Sequence, residues 1–420
     1  MRKTVFTVAL AALLGSASFS ALAAQQLLIP MDRGQTNHLK AYGVTYRALM
    51  RGEQGEWLLN YRGGAFLLLD TETNRREAAL GGVSLESITA DEVASIRAEI
   101  ANSNMESVSL EKAPKIAVYA PSITEPWDDA VTMVLQYVGI PYDKVWDPDV
   151  TAGRLRNYEW LHLHHEDFTG QFSKDFLRYG GAQWLLEDVA RNEKTASDLG
   201  YENVAQLKKA VAENIRAYVD GGGFLFAMCS ATETLDLALA AHDVDIAAAF
   251  ADGSPPDQDA SQRMDWSRAM AFQNAEVEIS STENAFSDID GHQVNTARRK
   301  PLGTYVLFDF SAKFDPVPSM LVQNHESVLP DFYGITTSYR IDRLKPATIV
   351  LAKEGEFVKY IHGDLGQGTW TFFGGHDPED AEHEIGDEPT GLSLHPNSPG
   401  YRLILNNVLF PAAKKKALKT

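Results

Sequence analysis

The stretch Gly221-Gly222-Gly223-Phe224-Leu225-Phe226-Ala227-Met228-Cys229-Ser230-Ala231 decides how the rest of the chain is read. Its three glycines stop a preceding helix, whose apolar face is Val204, Leu207, Val211, Ile215 and Tyr218 at helical spacing. Residues 224–228 are continuously apolar, the pattern of a strand buried on both faces. A helical run from Thr232 to Ala241 follows, so Cys229 and Ser230 stand at a strand-to-helix junction. Small residues on either side, Ala227 and Ala231, suit a sharp elbow that lifts the cysteine to the top of a sheet. Helix, buried strand and helix in succession form the unit of a parallel sheet covered on both faces.

The same alternation extends outward in both directions. Upstream, Ile116 to Ala120 reads as a strand, and Val145-Trp146 and Trp160 to Leu163 as two more. A helix carries Trp127, Ala130, Val131, Val134, Leu135 and Val138 and stops at Gly139 and Pro141. Downstream, strands are predicted at 348–351, 357–361 and 369–373, and Ser398-Pro399 opens a final helix. Residues 241–345 break the rhythm with the loop 252–257 and strands expected at 305–308 and 319–323. An insertion of this length is expected to act as a lid, an extra sheet edge or a partner surface. Before the main domain (113–413), residues 24–112 read as a small α/β domain. It has strands at 26–30, 56–61 and 65–69, a helix capped by Asn37, a second helix at 91–101, and a polar linker at 102–112. Residues 414–420 are a basic tail. The expected fold class is α/β, a doubly wound, mostly parallel, flavodoxin-like sheet preceded by the smaller domain.

Composition narrows the function classes. The chain has 420 residues, with 38 Lys and Arg against 57 Asp and Glu and a net charge of −19. That balance argues against nucleic acid or an anionic membrane as partner, both of which call for clustered cations. A single Cys excludes a disulfide framework. Arg2-Lys3, the apolar run from Thr4 to Ser20, and Ala21-Leu22-Ala23 have the three parts of a secretory signal peptide, residues 1–23, cut after Ala23. The expected location is therefore periplasmic or secreted, with no membrane insertion once the signal is removed.

Residues with chemical potential recur where strands end, the place where open α/β sheets bind ligands. Thr124, Glu125 and Asp128 follow the first strand of the main domain, and His164-His165-Glu166-Asp167 the third. Cys229 and Ser230 follow the fourth, and His376-Asp377-Pro378-Glu379 the last. At the elbow, the helix N-terminus favours a thiolate and offers backbone N–H groups to an oxyanion.

Residues 221–229, together with Phe372-Phe373-Gly374-Gly375-His376-Asp377-Pro378-Glu379, resemble the class I glutamine amidotransferase-like superfamily. They match its strand and elbow and its final strand with a His-Pro-Glu signature, here with one inserted Asp. Relatives include the DJ-type and trehalose-utilisation-like branches, and similar sequences are loosely labelled asparagine synthetase B. The resemblance covers roughly residues 114–240 and 345–410. It implies Cys229 as nucleophile, His376 as general base and Glu379 as orienting acid, with Glu125 in contact with the Cys as in the DJ-type branch. Ala231 stands where the family carries glycine, and His164-His165-Glu166-Asp167 replaces its glycine-rich oxyanion loop.

Adjacent residues on a strand end point to opposite sides, so at most one of His164 and His165 is expected to face a given pocket. Glu125, His164, His165, Glu166 and Ser230 are assigned to substrate binding, and imidazole and carboxylate ligands from separate strand ends could instead make a zinc-type site with His376. Adjacency lacks the i, i+4 spacing of a specific metal motif, so no metal ligand and no cofactor is assigned. The seven carboxylates between Asp377 and Glu388 read as a solvated loop. The function expected is Cys-dependent hydrolysis or transfer at a C–N or related acyl bond of a small-molecule or peptide-like substrate. Two alternatives stand beside it: a non-catalytic binding protein using the same pocket, and a metal-dependent hydrolase centred on the His-His-Glu-Asp loop.

Overall fold

The computed structural model describes residues 25–121, 129–280, 282–283, 285–291, 303–322, 326–332, 334, 336–381 and 388–413. The first part of the chain builds an antiparallel sheet from β1 (Gln26–Ile29), β2 (Gly55–Leu59), β3 (Ala65–Leu69), β4 (Glu86–Ile88) and β5 (Glu106–Leu110), in the order β4-β1-β3-β2-β5. Helices α1 (His38–Met50), α2 (Glu72–Gly81) and α3 (Ala90–Asn102) are capped by the side chains of Asn37, Thr71 and Thr89. The segment expected to be a linker holds β5, whose Leu110 is fully buried. Pairing with β2 overrides its polar composition.

The second sheet has nine strands. They are β6 (Ile116–Tyr119), β7 (Asp143–Val145), β8 (Trp160–Leu163), β9 (Phe224–Met228), β10 (Thr304–Leu307), β11 (Val328–Pro330), β12 (Ile349–Glu354), β13 (Phe357–Leu365) and β14 (Gly368–Phe373). Their order is β11-β10-β12-β13-β14-β9-β8-β6-β7. The pairings from β14 to β7 are parallel, and those from β11 to β14 are antiparallel. The expectation of a mostly parallel sheet is therefore corrected to a mixed α/β architecture. Two-residue turns at 355–356 and 366–367 join β12, β13 and β14, and such turns cannot carry a parallel crossover. The insertion 241–345 supplies β10 and β11, an extra sheet edge. Where a strand was expected at 319–323, residues 319–321 belong instead to a 3₁₀ turn at Pro318–Leu321.

Strand alternation sends side chains into two cores. On one face Val118, Trp160, Phe224, Phe226 and Phe373 pack with α1, with α4 (Ala130–Val138) and with the final helix, α8 (Pro399–Leu409). On the other, Ala117, Leu161, Leu163, Leu225 and Phe372 pack with α6 (Val204–Asp220) and α7 (Ser230–Ala240); α5 (Gln183–Asp198) lies beside α6. The first core also takes in Ile29, Tyr42, Trp57 and Phe66, so the N-terminal sheet and the large sheet share one interior. Helix α8 ties them together. Its buried Arg402 donates to the carbonyls of Met31 (3.2 Å) and Gly63 and to the Tyr42 hydroxyl (3.1 Å). Asn406 donates to the Val322 carbonyl (3.2 Å) and Asn407 to the Tyr360 hydroxyl (2.6 Å), while the Asn407 carbonyl accepts from Trp160 Nε1 (3.1 Å). No helix among the described residues is long and apolar enough to cross a membrane.

Candidate active site

Strands β6, β8, β9 and β14 are parallel neighbours, so the residues that follow them gather at one edge of the sheet. Cys229 leaves β9 with φ 51° and ψ −141° and caps α7. A residue with a β-carbon in this region costs of order 1–3 kcal/mol and persists only where its surroundings impose it. The side chain is buried, at 1% exposure. A β-carbon at Gly334 would lie 3.1 Å both from Cys229 Sγ and from the backbone of Gly375, so a side chain here would force these neighbours to give by a few tenths of an ångström where the inserted segment closes over the thiol. Gly375 itself has φ 95° and donates its N–H to the Thr336 carbonyl at 2.9 Å. These insertion residues belong to the site and carried no sequence motif.

Ser230 opens α7 and is fully buried, and its hydroxyl has no hydrogen-bond partner among the described residues. The next two amides are committed: Ala231 N–H donates to the His164 carbonyl (3.2 Å), and Thr232 N–H to the Cys229 carbonyl (3.3 Å). An oxyanion here would therefore meet the Ser230 N–H and hydroxyl rather than the helix amides in general.

The histidines converge more than strand alternation allowed. His164 Nε2 lies 3.1 Å from His376 Nδ1, their rings edge-on with centroids 4.3 Å apart. The His165 ring stacks on His376 at 5.9 Å, 17° from parallel. Strand β8 ends at Leu163, so the two-residue alternation lapses before His164 and both rings turn to the same side. His164 is buried, and His165 and His376 are half-buried.

Behind this cluster stand two residues that sequence reasoning missed. Asp129 caps α4 by accepting from Val131 N–H (2.7 Å) and Thr132 N–H (3.2 Å), and the same oxygen faces His162 Nε2 (3.1 Å) and His164 Nδ1 (3.5 Å). His162 Nδ1 in turn faces the Phe226 carbonyl at 3.1 Å. Burial works to raise the Asp129 carboxyl, but His162 and the capping amides hold it below the ordinary carboxylate value. An Asp immediately before an apolar helix was a legible cap signal. That the same oxygen would also orient histidines depends on the pairing of β6 with β8.

The remaining expected residues are placed as follows. Glu166 is half-buried, the desolvation around it raises its carboxyl, and its Oε2 accepts the His164 N–H at 2.8 Å. It therefore shapes the loop from within. Asp167 does the same by accepting from the backbone of Thr169, Gln171 and Ser173. Glu379, expected to orient His376, pairs its Oε2 with His395 Nδ1 at 2.9 Å, and His164 faces His376 at hydrogen-bond distance. The inserted Asp377 accepts the Glu379 N–H at 2.9 Å, a local turn that redirects the acid. Glu125 lies outside the described residues.

No family model and no curated protein matches the chain. Among solved structures, cytoplasmic protein STM3548 from Salmonella typhimurium is 12% identical over 72% of this chain and 100% of its own, with a TM-score of 0.35. Cytoplasmic protein STM1381 from Salmonella typhimurium LT2 is 13% identical over 71% and 100%, with a TM-score of 0.34.

Proposed function

We propose that the protein is an exported, glutamine amidotransferase-like hydrolase or transferase that uses Cys229 as nucleophile at a C–N or related acyl bond. The observation that carries this reading is the left-handed backbone of Cys229 between β9 and α7, strain of the kind a nucleophile elbow stores. The parallel strand order β7-β6-β8-β9-β14 supports it, since counting the parallel strands alone and leaving out β10 to β13 it runs 2-1-3-4-5, the flavodoxin-like order. In the proposed step, His376 takes the thiol proton and the sulfur attacks the substrate carbonyl carbon. The Ser230 N–H and hydroxyl receive the oxyanion; collapse expels the amine, which takes the proton back from His376. Water then hydrolyses the thioester, with His376 again as base.

The test is thiol chemistry on the folded protein. Iodoacetamide is expected to label Cys229 near neutral pH, more slowly in His376→Ala, and Cys229→Ser to accumulate no acyl adduct by mass spectrometry. The burial of Cys229 favours a second reading, a binding protein in which the elbow is inert. Labelling only on unfolding would overturn the first reading and favour the second. Export predicts Ala24 as the mature N-terminus; an intact Met1 on the isolated protein would overturn that part.

A further inference from the structure

We propose that His164, His165 and His376 form a binding site for a divalent transition metal of the zinc class, held by three imidazoles with a fourth position left for water or substrate. One nitrogen from each ring lies within 4.8 Å of the other two. Two ligands at ~2.0–2.1 Å in a tetrahedral site stand about 3.3 Å apart. His164 Nε2 is 3.1 Å from one nitrogen of His376 and 3.4 Å from the other, so this pair already has the required spacing. A His165 nitrogen lies within 4.8 Å of both, so it must move closer to reach the ~3.3 Å spacing and complete the set.

Three further observations converge on a cation. First, His164 Nδ1 lies 3.5 Å from Asp129 Oδ1, leaving Nε2 toward the cluster; a carboxylate that closes to hydrogen-bond geometry behind a ligating imidazole fixes the ring and raises its basicity. Asp129 is itself fixed by the α4 amides and by His162. Second, the donors are all imidazole nitrogens, which suits zinc, nickel or copper and disfavours magnesium and calcium. Third, burial is graded, with His164 inside and His165 and His376 half-buried, which gives an ion a route in and keeps one side of the site open. The neighbouring group Asp129, His162 and His164 is not an equivalent candidate. Both ring nitrogens of His162 and the Asp129 oxygen are already engaged with protein partners.

This inference goes beyond the cysteine reading and stands without it. Where both hold, they exclude one another in time. A neutral imidazole has one lone pair, so a cation on His376 removes the base that Cys229 needs. The metal-loaded form would then be silent in cysteine chemistry.

The experiment is zinc binding to the full protein, purified without a histidine tag and stripped by a chelator, read by competition with a chromogenic chelator. Cobalt substitution, read in the visible spectrum, reports geometry. One equivalent of zinc and a tetrahedral cobalt spectrum are expected. His165→Ala and His376→Ala are expected to lower affinity at least ~10-fold, as is Asp129→Asn, which keeps the helix cap but changes the group behind His164. Exposed His242→Ala serves as a control and should bind as wild type. Circular dichroism identifies any variant that has unfolded, and the half-buried His165 provides the most conservative test. Absence of stoichiometric binding, or binding unchanged in His165→Ala and His376→Ala, overturns the proposal. Cys229→Ser separates the two ideas: retained binding supports the three-imidazole set whatever the thiol does, and lost binding refutes that set.

Discussion

Replacing Cys229 by Gly and by Ala tests the strained elbow without any knowledge of substrate. At an unstrained buried site, Gly is worse than Ala by two effects. Extra backbone entropy in the unfolded chain costs about 0.5–1 kcal/mol, and the lost methyl about 0.8 kcal/mol. An ordinary core cysteine would therefore make Cys229→Gly about 1.5 kcal/mol less stable than Cys229→Ala. The observed φ of 51° with ψ −141° offsets that deficit, because the β-carbon of Ala would retain strain of order 1–3 kcal/mol that Gly does not have. Cys229→Gly should thus lie between about 0.5 kcal/mol below and about 1.5 kcal/mol above Cys229→Ala. Both should fall below wild type, since each removes a sulfur buried in the shared core. Urea unfolding followed by tryptophan fluorescence measures the difference, with equal slopes required for the comparison. A glycine variant less stable than the alanine variant by 1.5 kcal/mol or so would refute the strained elbow and leave Cys229 an ordinary packing residue.

Glu233, in α7, accepts from Ser287 and Thr336 hydroxyls, and burial reinforced by Asp290 lifts its carboxyl from 4.5 to about 8. Between those values the unfolded chain releases a proton that the folded state keeps, so stability should fall as pH rises through that window. Glu233→Gln should flatten the decline in urea midpoints; it will do so only in part, because Asp175, raised by burial to about 7, contributes the same sign. Lys359 and Asp331 form a fully buried ion pair at 2.7 Å, so Lys359→Ala, which strands the carboxylate, should cost about 3–5 kcal/mol. The double variant Lys359→Met with Asp331→Leu should be less damaged in the same assay. Gly334→Ala should cost about 1–3 kcal/mol by crowding Cys229 Sγ and Gly375, and the cost should shrink in a Cys229→Ala background; equal costs in both would place the clash elsewhere.

The parts of the fold that were legible in the sequence are those in which local pattern and tertiary environment agree. Strand β9 and helix α6 stand nearly where the apolar run and the 3.6-residue spacing put them, because both are buried on the faces that the pattern marks. Asn37 and Ser398 cap the helices they were expected to open. The antiparallel half of the large sheet was missed because the turns at 355–356 and 366–367 carry only Gly-Glu and Gly-Gln between apolar runs, and strand direction follows from their two-residue length. At the site, the elbow was legible, since strand, small residues and helix lie consecutively. The convergence of His164 and His165 was not, because it depends on β8 ending one residue before them. Gly334 and Asp129 reach the same edge from distant parts of the chain, and neither carries a motif that announces the neighbour it meets.

The polar hub on α8 bears on the order of events when the chain is made. Arg402, Asn406 and Asn407 follow every strand of both sheets in chain order, yet they satisfy groups beside the first sheet, in the inserted segment and in the central strands. Until they emerge, those buried carbonyls and the apolar face beneath them have nothing to close against. A ribosome-bound chain not yet extended through residues 399–413 should therefore stay open on that face of the large sheet beside α1 and α4, competent for chaperone capture. By the same logic, loss of residues 399–413 would not trim the protein at its edge. It would remove the piece that closes the shared core and lower protease resistance as far away as β1.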